Sequence, residues 1–263
     1  MNSLFMNKTE ILKDIKVTET IQEAVQQNLN AKMCHMIGGM WIRNTVYLVE
    51  LSATGVVCRA FEEDHCHFEK LQINQPVGIS FQIEHDKFIF DTTVMGFESS
   101  VATKGERILL EIPDRIEKMP RRAYEHQAVP GELNVHVLFW HRGHIDNVNH
   151  SPTESYWQGS MMNLSAGGAQ IAVSSSLAHC FTPGQLVGMQ FTPMFYQKPI
   201  LVEAQIIHLK PDEETRELYL GLEFLGLEVS IDGRNILHRL MDVVEEYAKM
   251  NKDKDSGLQD RID

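Results

Sequence analysis

Two groups of side chains in this sequence have the types and spacing to hold an anion. The first is RRAYEH, in which Arg121 and Arg122 follow Pro120 and His126 lies one short turn further on. A guanidinium is a planar fork of donors that grips a phosphate or a guanine edge in bidentate fashion and stacks on flat rings. The second is NLSAGGAQI, where Asn163 and Ser165 supply short hydrogen-bonding side chains. Gly167 and Gly168 leave backbone that a ligand can approach closely, with amides able to face negative charge. Taken singly, the first group reads as a solvated basic turn and the second as a hairpin. The pair is more specific than either part.

Other clusters are weaker. His65, Cys66 and His67 are consecutive, with Cys34 and His35 upstream, and His141, His144 and His150 crowd a second stretch. Imidazole and thiolate ligate transition metals, but neither cluster has the short paired spacing of a structural zinc site. On a strand, Cys66 would point away from His65 and His67. Polar loop and strand positions are the simpler reading, and no metal is expected. No GxSxG, HExxH, Walker A or dinucleotide fingerprint is present. Asp212, Glu213 and Glu214 read as a solvated hairpin turn, not as an acid–base pair. Tyr156 and Trp157 lie near the second motif, but strand aromatics pack in cores more often than they stack on ligands. These observations point away from an enzyme.

The chain has 263 residues and a formal charge of −12, room for one large or two ordinary domains. That acidity argues against a nucleic-acid polymer as partner, since such binding draws on Lys and Arg. It leaves space for a local basic pocket. MNSLFMNKTEILKDIKV has no apolar core of a signal peptide, and no run is long enough to span a bilayer. A cytoplasmic protein without membrane insertion is expected. Cys34, Cys58, Cys66 and Cys180 form no CxxC, so reduced thiols are expected.

These residues need elements to position them. TETIQEAVQQNL, residues 18–29, reads as a short helix with Thr18 or Thr20 as cap and Ile21, Val25 and Leu29 on one face. WIRNTVYLVEL, GVVCRAFEE, VGISFQI, KFIFDTTVMGF and RILLEIP are short β-rich runs. IPDRIEKMP, with two prolines, reads as a linker. Strands resume at LNVHVLFW, SYWQGSMMNL, AQIAVS, QLVGMQFT, ILVEAQIIHL and LYLGLEFL, whose alternation is read as apolar-out and polar-in around a barrel wall. NILHRLMDVVEEYAKM is an amphipathic helix, with Ile236, Leu237, Leu240, Val243, Val244 and Tyr247 on its apolar stripe. NKDKDSGLQDRID reads as a frayed polar tail. The fold expected is mainly β: two small antiparallel β-barrels, with a short N-terminal helix and a C-terminal amphipathic helix. The domains expected are 1–118 and 119–250, with a tail at 251–263. No internal sequence repeat is evident.

At these residues the sequence resembles the PilZ domain family, which carries RxxxR on the segment entering a six-stranded barrel and [DN]xSxxG on a following strand. Asn163, Ser165 and Gly168 fill the second motif. Arg122 fills the first position of RxxxR, and Arg121 matches an extra arginine often found before it. LGLEF, with Gly221 and Phe224, resembles the closing strand. The resemblance covers roughly residues 119–250. Upstream, a β domain ending in ILLEIPDRIEKMPRR is similar to the N-terminal domain of YcgR-type flagellar brake proteins.

The resemblance implies a receptor for cyclic di-GMP, often bound by the family as an intercalated dimer. Arg121, Arg122, Asn163, Ser165, Gly167 and Gly168 would contact the ligand, with His126 as a substituted partner. It implies that ligand re-orients the two barrels and so alters contact with a protein partner, in the flagellar motor or another motility or envelope system. Recruitment to the flagellar basal body is part of the same expectation. The departure is His126, which stands where the family has its second arginine. A neutral imidazole has one donor and no fork, and it titrates around neutrality. Losing a bidentate charged contact costs roughly 1.5–3 kcal/mol, about ten- to a hundred-fold in affinity. The alternative is a degenerate member that binds no nucleotide and acts only as a protein-interaction module.

Overall fold

The computed structural model of the chain describes residues 9–60, 70–98, 107–142 and 156–259. It divides into two compact units. The first comprises Met1–Arg122 together with Gly226–Arg234, and the second Ala123–Leu225 together with Asn235–Asp263.

In the first unit, β1 (Glu10–Lys13) leads into α1 (Ile15–Gln26), followed by β2 (Asn30–Ile37), β3 (Met40–Ser52) and β4 (Gly55–Ala60). Then come β5 (Pro76–Ile83), β6 (Asp86–Glu98), β7 (Arg107–Leu110) and β8 (Arg115–Pro120). The antiparallel order β6-β5-β2-β3-β4-β7 closes through a β6–β7 pairing into a six-stranded barrel. Closure removes the exposed sheet edges. Inward positions such as Met33, Val46, Leu48, Val56, Cys58, Ile79, Phe90 and Leu110 form the core, and α1 adds Val17, Ile21 and Ala24 to it. Burial in that core pushes the Cys58 thiol up to about 12, because a thiolate there would lose its hydration.

The segment expected as a linker is a strand. β8 pairs with β6 and also with β1, which was not expected as a strand. Pro120 closes the strand, where a missing donor costs nothing. The helix begins earlier than its hydrophobic spacing suggests. Asp14 is its N-cap without a side-chain cap bond, and Thr18 and Thr20 instead donate to the Ile15 and Lys16 carbonyls.

The segment Gly226–Arg234 is built into this first unit. Gly226, at φ +75°, lies under the Trp41 ring, and an added Cβ would meet that ring at 2.4 Å. Gly78 lies equally bare against Glu228. Arg234, 3% exposed, ion-pairs Asp91 and reaches Glu117 at 3.1 Å, and it donates to the Glu228 carbonyl.

A 3-10 turn (Arg121–Tyr124) contains the division between the units, and the second unit continues with β9 (Gln127–Ala128). β10 (His136–His141), β11 (Trp157–Ser165), β12 (Gly168–Ser174), β13 (Leu186–Phe191), β14 (Ile200–Asp212) and β15 (Glu217–Leu225) follow. The order β10-β13-β14-β15-β12-β11 closes through β10–β11 into a second six-stranded antiparallel barrel, with β9 laid against β11. The side-chain sense is the reverse of the expected one. Val137, Phe139, Ile171, Val173, Met189, Ile206 and Leu220 are buried and fill the barrel, because a barrel of this size encloses a packed core and not a polar lumen. Trp157 packs on Phe139 and Phe181 at centroid distances of 5.5 and 5.0 Å.

One buried ion pair joins β14 to the residue that follows β10. Arg142 and Glu203 meet at 2.8 Å and are 4% and 8% exposed. Burial raises the Glu203 pKa, and the pairing with Arg142 only partly offsets it. The acidic turn at Asp212–Glu214 is the solvated hairpin expected, its Asp212 carboxylate accepting from the Glu214 amide.

The C-terminal helix α2 (Ile231–Gln259) buries Leu237, Leu240, Val243, Val244 and Tyr247. The Tyr247 hydroxyl donates to the Pro193 carbonyl at 3.0 Å, and Asn251 donates to the Ala128 carbonyl beside β9. The helix continues to Gln259, through residues expected to belong to a polar tail.

Candidate functional site

The site is built where the 3-10 turn and β9 are tied to the β11–β12 hairpin. The Ala166 amide donates to the Ala123 carbonyl at 3.0 Å, and the Phe224 amide donates to the Gly167 carbonyl at 2.9 Å. β9 pairs Gln127 with Leu164 and Ala128 with Asn163. These bonds bring His126 onto Asn163 although 37 residues separate them, with Nδ1 and Oδ1 at 2.7 Å. The Ser165 hydroxyl lies 3.5 Å from His126 Nε2 and donates to the Gly168 carbonyl at 3.2 Å. Asn163 Nδ2 donates to Gln170 Oε1 at 3.0 Å. Asn163 and Gln170 are register partners just after a register shift between Met161 and Asn163. That irregularity lets Met161 and Leu164 both point inward, while Asn163 and Gln170 meet on the outer face.

His126, Asn163, Ser165, Gly167 and Gly168 thus line one open cleft of about 480 Å³. Arg121 and Arg122 stand on the 3-10 turn immediately before Tyr124, which is also a lining residue. The two glycines have packing reasons for being glycine. An added Cβ on Gly168 would stand 2.2 Å from the Leu222 carbonyl oxygen, and one on Gly167 would stand 3.1 Å from the Tyr124 ring.

The opposite wall comes from β14 and β15, which the sequence reading did not assign to the site. A register shift between Ile206 and His208 leaves Ile206 inside, while Ile207 and His208 both face outward into the cleft. The break in alternation at IIH was the available signal. Gly221 lies beneath His208, so close that an added Cβ would stand 2.0 Å from the imidazole. Glu223, the register partner of Gly168, adds a carboxylate. Gln170 was inside the quoted motif, but its partner was invisible without the register.

Among the described residues no group of three or more His, Cys, Asp or Glu side chains could hold a metal ion. Cys34 and His35 are buried in β2. His65, Cys66, His67, His144 and His150 lie outside the described residues. No described helix is long and apolar enough to cross a membrane.

Two six-stranded barrels, one carrying a polar, glycine-floored cleft on its outer wall, define a two-barrel β architecture. Residues 146–242 match the family model described as PilZ domain. Among solved structures, MrkH of K. pneumonia is similar at 10% identity over 94% of this chain and 99% of its own, with a TM-score of 0.51. That likeness is one of fold. YcgR of Escherichia coli, solved in complex with c-di-GMP, is 15% identical over 93% of this chain and 96% of its own, with a TM-score of 0.35. The Bacillus subtilis inhibitor of motility MotI is 14% identical over 86% and 97%, with a TM-score of 0.37. No curated protein matches the chain.

Proposed function

We propose that this chain is a receptor for cyclic di-GMP and not an enzyme. The observation that carries the reading is the convergence of His126, Asn163 and Ser165 on one cleft directly downstream of Arg121 and Arg122, within a chain whose residues 146–242 match the PilZ domain model. In this reading the arginines grip phosphates and guanine edges, and Asn163 and Ser165 hold the opposite side of the dinucleotide. Gly167 and Gly168 keep the floor low. The ligand needs no metal and no bond is broken.

The output we infer is altered contact with a protein partner in the cytoplasm, in flagellar motility, following a ligand-driven change in domain arrangement. In this reading a ligand that engages Arg121 and Arg122 binds one domain arrangement better than another and shifts a population. A formal charge of −12 disfavours a nucleic-acid polymer as the partner.

A second reading is favoured by one specific observation. His126, Asn163 and Gln170 already bond to one another, which suits a degenerate domain acting only through protein contacts. Calorimetric titration with cyclic di-GMP, beside Arg122→Ala, separates the two. Saturable micromolar or tighter binding lost in the variant supports the receptor. No heat at high ligand supports the protein-interaction module.

A further inference from the structure

We propose that His126 is a proton-linked anion anchor, held in one tautomer by the Asn163–Gln170 pair, so that the cleft takes up a proton when it takes up a phosphate. This rests on the receptor reading above and specifies how the substituted position works.

The argument starts at Gln170. Its Oε1 accepts from Asn163 Nδ2 at 3.0 Å, which turns the other end of the Asn163 amide, Oδ1, toward His126. That oxygen can only accept, so the 2.7 Å contact requires a proton on His126 Nδ1. Nε2 is then the atom that changes. In the neutral ring it is a bare lone pair 3.5 Å from the Ser165 hydroxyl. A lone pair repels a phosphate oxygen, whereas Nε2–H of the imidazolium donates to one with charge assistance. Asn163 Oδ1 suits the charged ring equally well, because Nδ1–H is kept in both forms. An arginine here would carry its charge at every accessible pH. Histidine makes the same contact conditional.

The charged and titratable groups around the ring bear on this. Tyr124 of the turn lines the cleft, and Arg121, Arg122 and Glu125 precede His126 closely in sequence. β11 and β12 contribute no ionisable group to the cleft, only Asn163, Ser165 and Gln170. β14 contributes His208 and β15 contributes Glu223. A bound phosphate near Nε2 adds negative charge and favours the imidazolium. Binding and protonation are therefore linked with one proton as the upper limit.

The test is calorimetric titration of the full chain with cyclic di-GMP at pH 6, 7 and 8, for wild type, His126→Arg, His126→Gln and His208→Gln. Wild-type affinity is expected to fall about tenfold from pH 6 to pH 8. His126→Arg should bind with no such slope, and His126→Gln should bind weakly with no slope. His208→Gln should keep the slope whatever it does to the affinity itself. Nitrogen NMR of the imidazole ring should show the Nδ1–H tautomer in the free protein at high pH, lost in Asn163→Leu. Wild-type binding without a pH slope, or a slope that survives His126→Arg, overturns the anchor while the receptor stands. So does an Nε2–H tautomer. Binding seen only in His126→Arg makes His126 a lesion and also overturns it. Failure of every variant at every pH removes the receptor reading, and the anchor with it.

Discussion

Two glycines of the cleft wall face different kinds of neighbour, and alanine at each should therefore do different things. At Gly168 the added methyl would stand 2.2 Å from the Leu222 carbonyl oxygen. That oxygen belongs to the backbone of β15, held to β12 along seven register pairs from Gly168 to Ser174. Relief requires the two strands to part by close to 1 Å inside a close-packed wall. Overpacking of this kind costs about 1–3 kcal/mol, and the upper end applies where backbone must move. At Gly221 the methyl would stand 2.0 Å from His208, but His208 is an exposed side chain that can turn away into the cleft. Gly221→Ala should therefore cost less than about 1 kcal/mol of stability, while narrowing the cleft. Thermal unfolding checks the first half. Gly168→Ala should lower the midpoint of the second unit by about 8–12 °C, taking about 4 °C per kcal/mol for a unit of this size. Titration with cyclic di-GMP checks the second half, where Gly221→Ala should weaken binding at near-normal stability. Equal midpoints for wild type and Gly168→Ala would refute the reasoning, as would a Gly221→Ala protein as unstable as Gly168→Ala.

Three further outcomes follow from the geometry. Arg122→Ala should weaken cyclic di-GMP binding at least about tenfold with an unchanged melting midpoint, by loss of a charge-assisted contact; calorimetry and thermal scans read both. Arg142→Met leaves the Glu203 carboxylate buried without its guanidinium and should cost about 3–5 kcal/mol at neutral pH. Glu203 already has a raised pKa in the folded chain, so its burial costs stability above the ordinary carboxylate range and the cost is relieved as pH falls. The variant should regain stability on acidification toward pH 5, and a Glu203→Gln partner change should restore it at pH 7; denaturant titrations at the two pH values decide. Cys58, its thiol pushed up to about 12, should resist alkylation at pH 8 in the native protein and react on unfolding, read by mass spectrometry.

The short alternating runs made the long strands visible in the sequence, and the two-motif spacing made the floor and one edge of the cleft visible. β2 escaped because Met33, Cys34 and His35 are buried in succession, so the strand is covered on both faces and shows no alternation. β1 and β8 escaped because each is short and the second ends in proline. The far wall of the cleft escaped for another reason. Ile207, His208 and Glu223 come beside Asn163 and Ser165 only through the successive pairing of β14, β15, β12 and β11 and its two register shifts, and register is a property of pairing that no single strand encodes. The inverted inside–outside sense came from reading a barrel as a pore, when six strands enclose only side chains.

The first barrel is finished in sequence at Pro120 but not in substance. The counterparts of Trp41, Gly78 and Glu117 are Gly226, Glu228 and Arg234, and these are translated only after β15 has been made. A ribosome releasing this chain therefore cannot deliver a complete N-terminal unit first, as vectorial folding of independent domains would have it. The buried Glu117 waits for the Arg234 guanidinium until both barrels have emerged. Completion of the first unit follows synthesis of β15, and a fragment stopped at Pro120 should be trapped at the stage the nascent chain passes through.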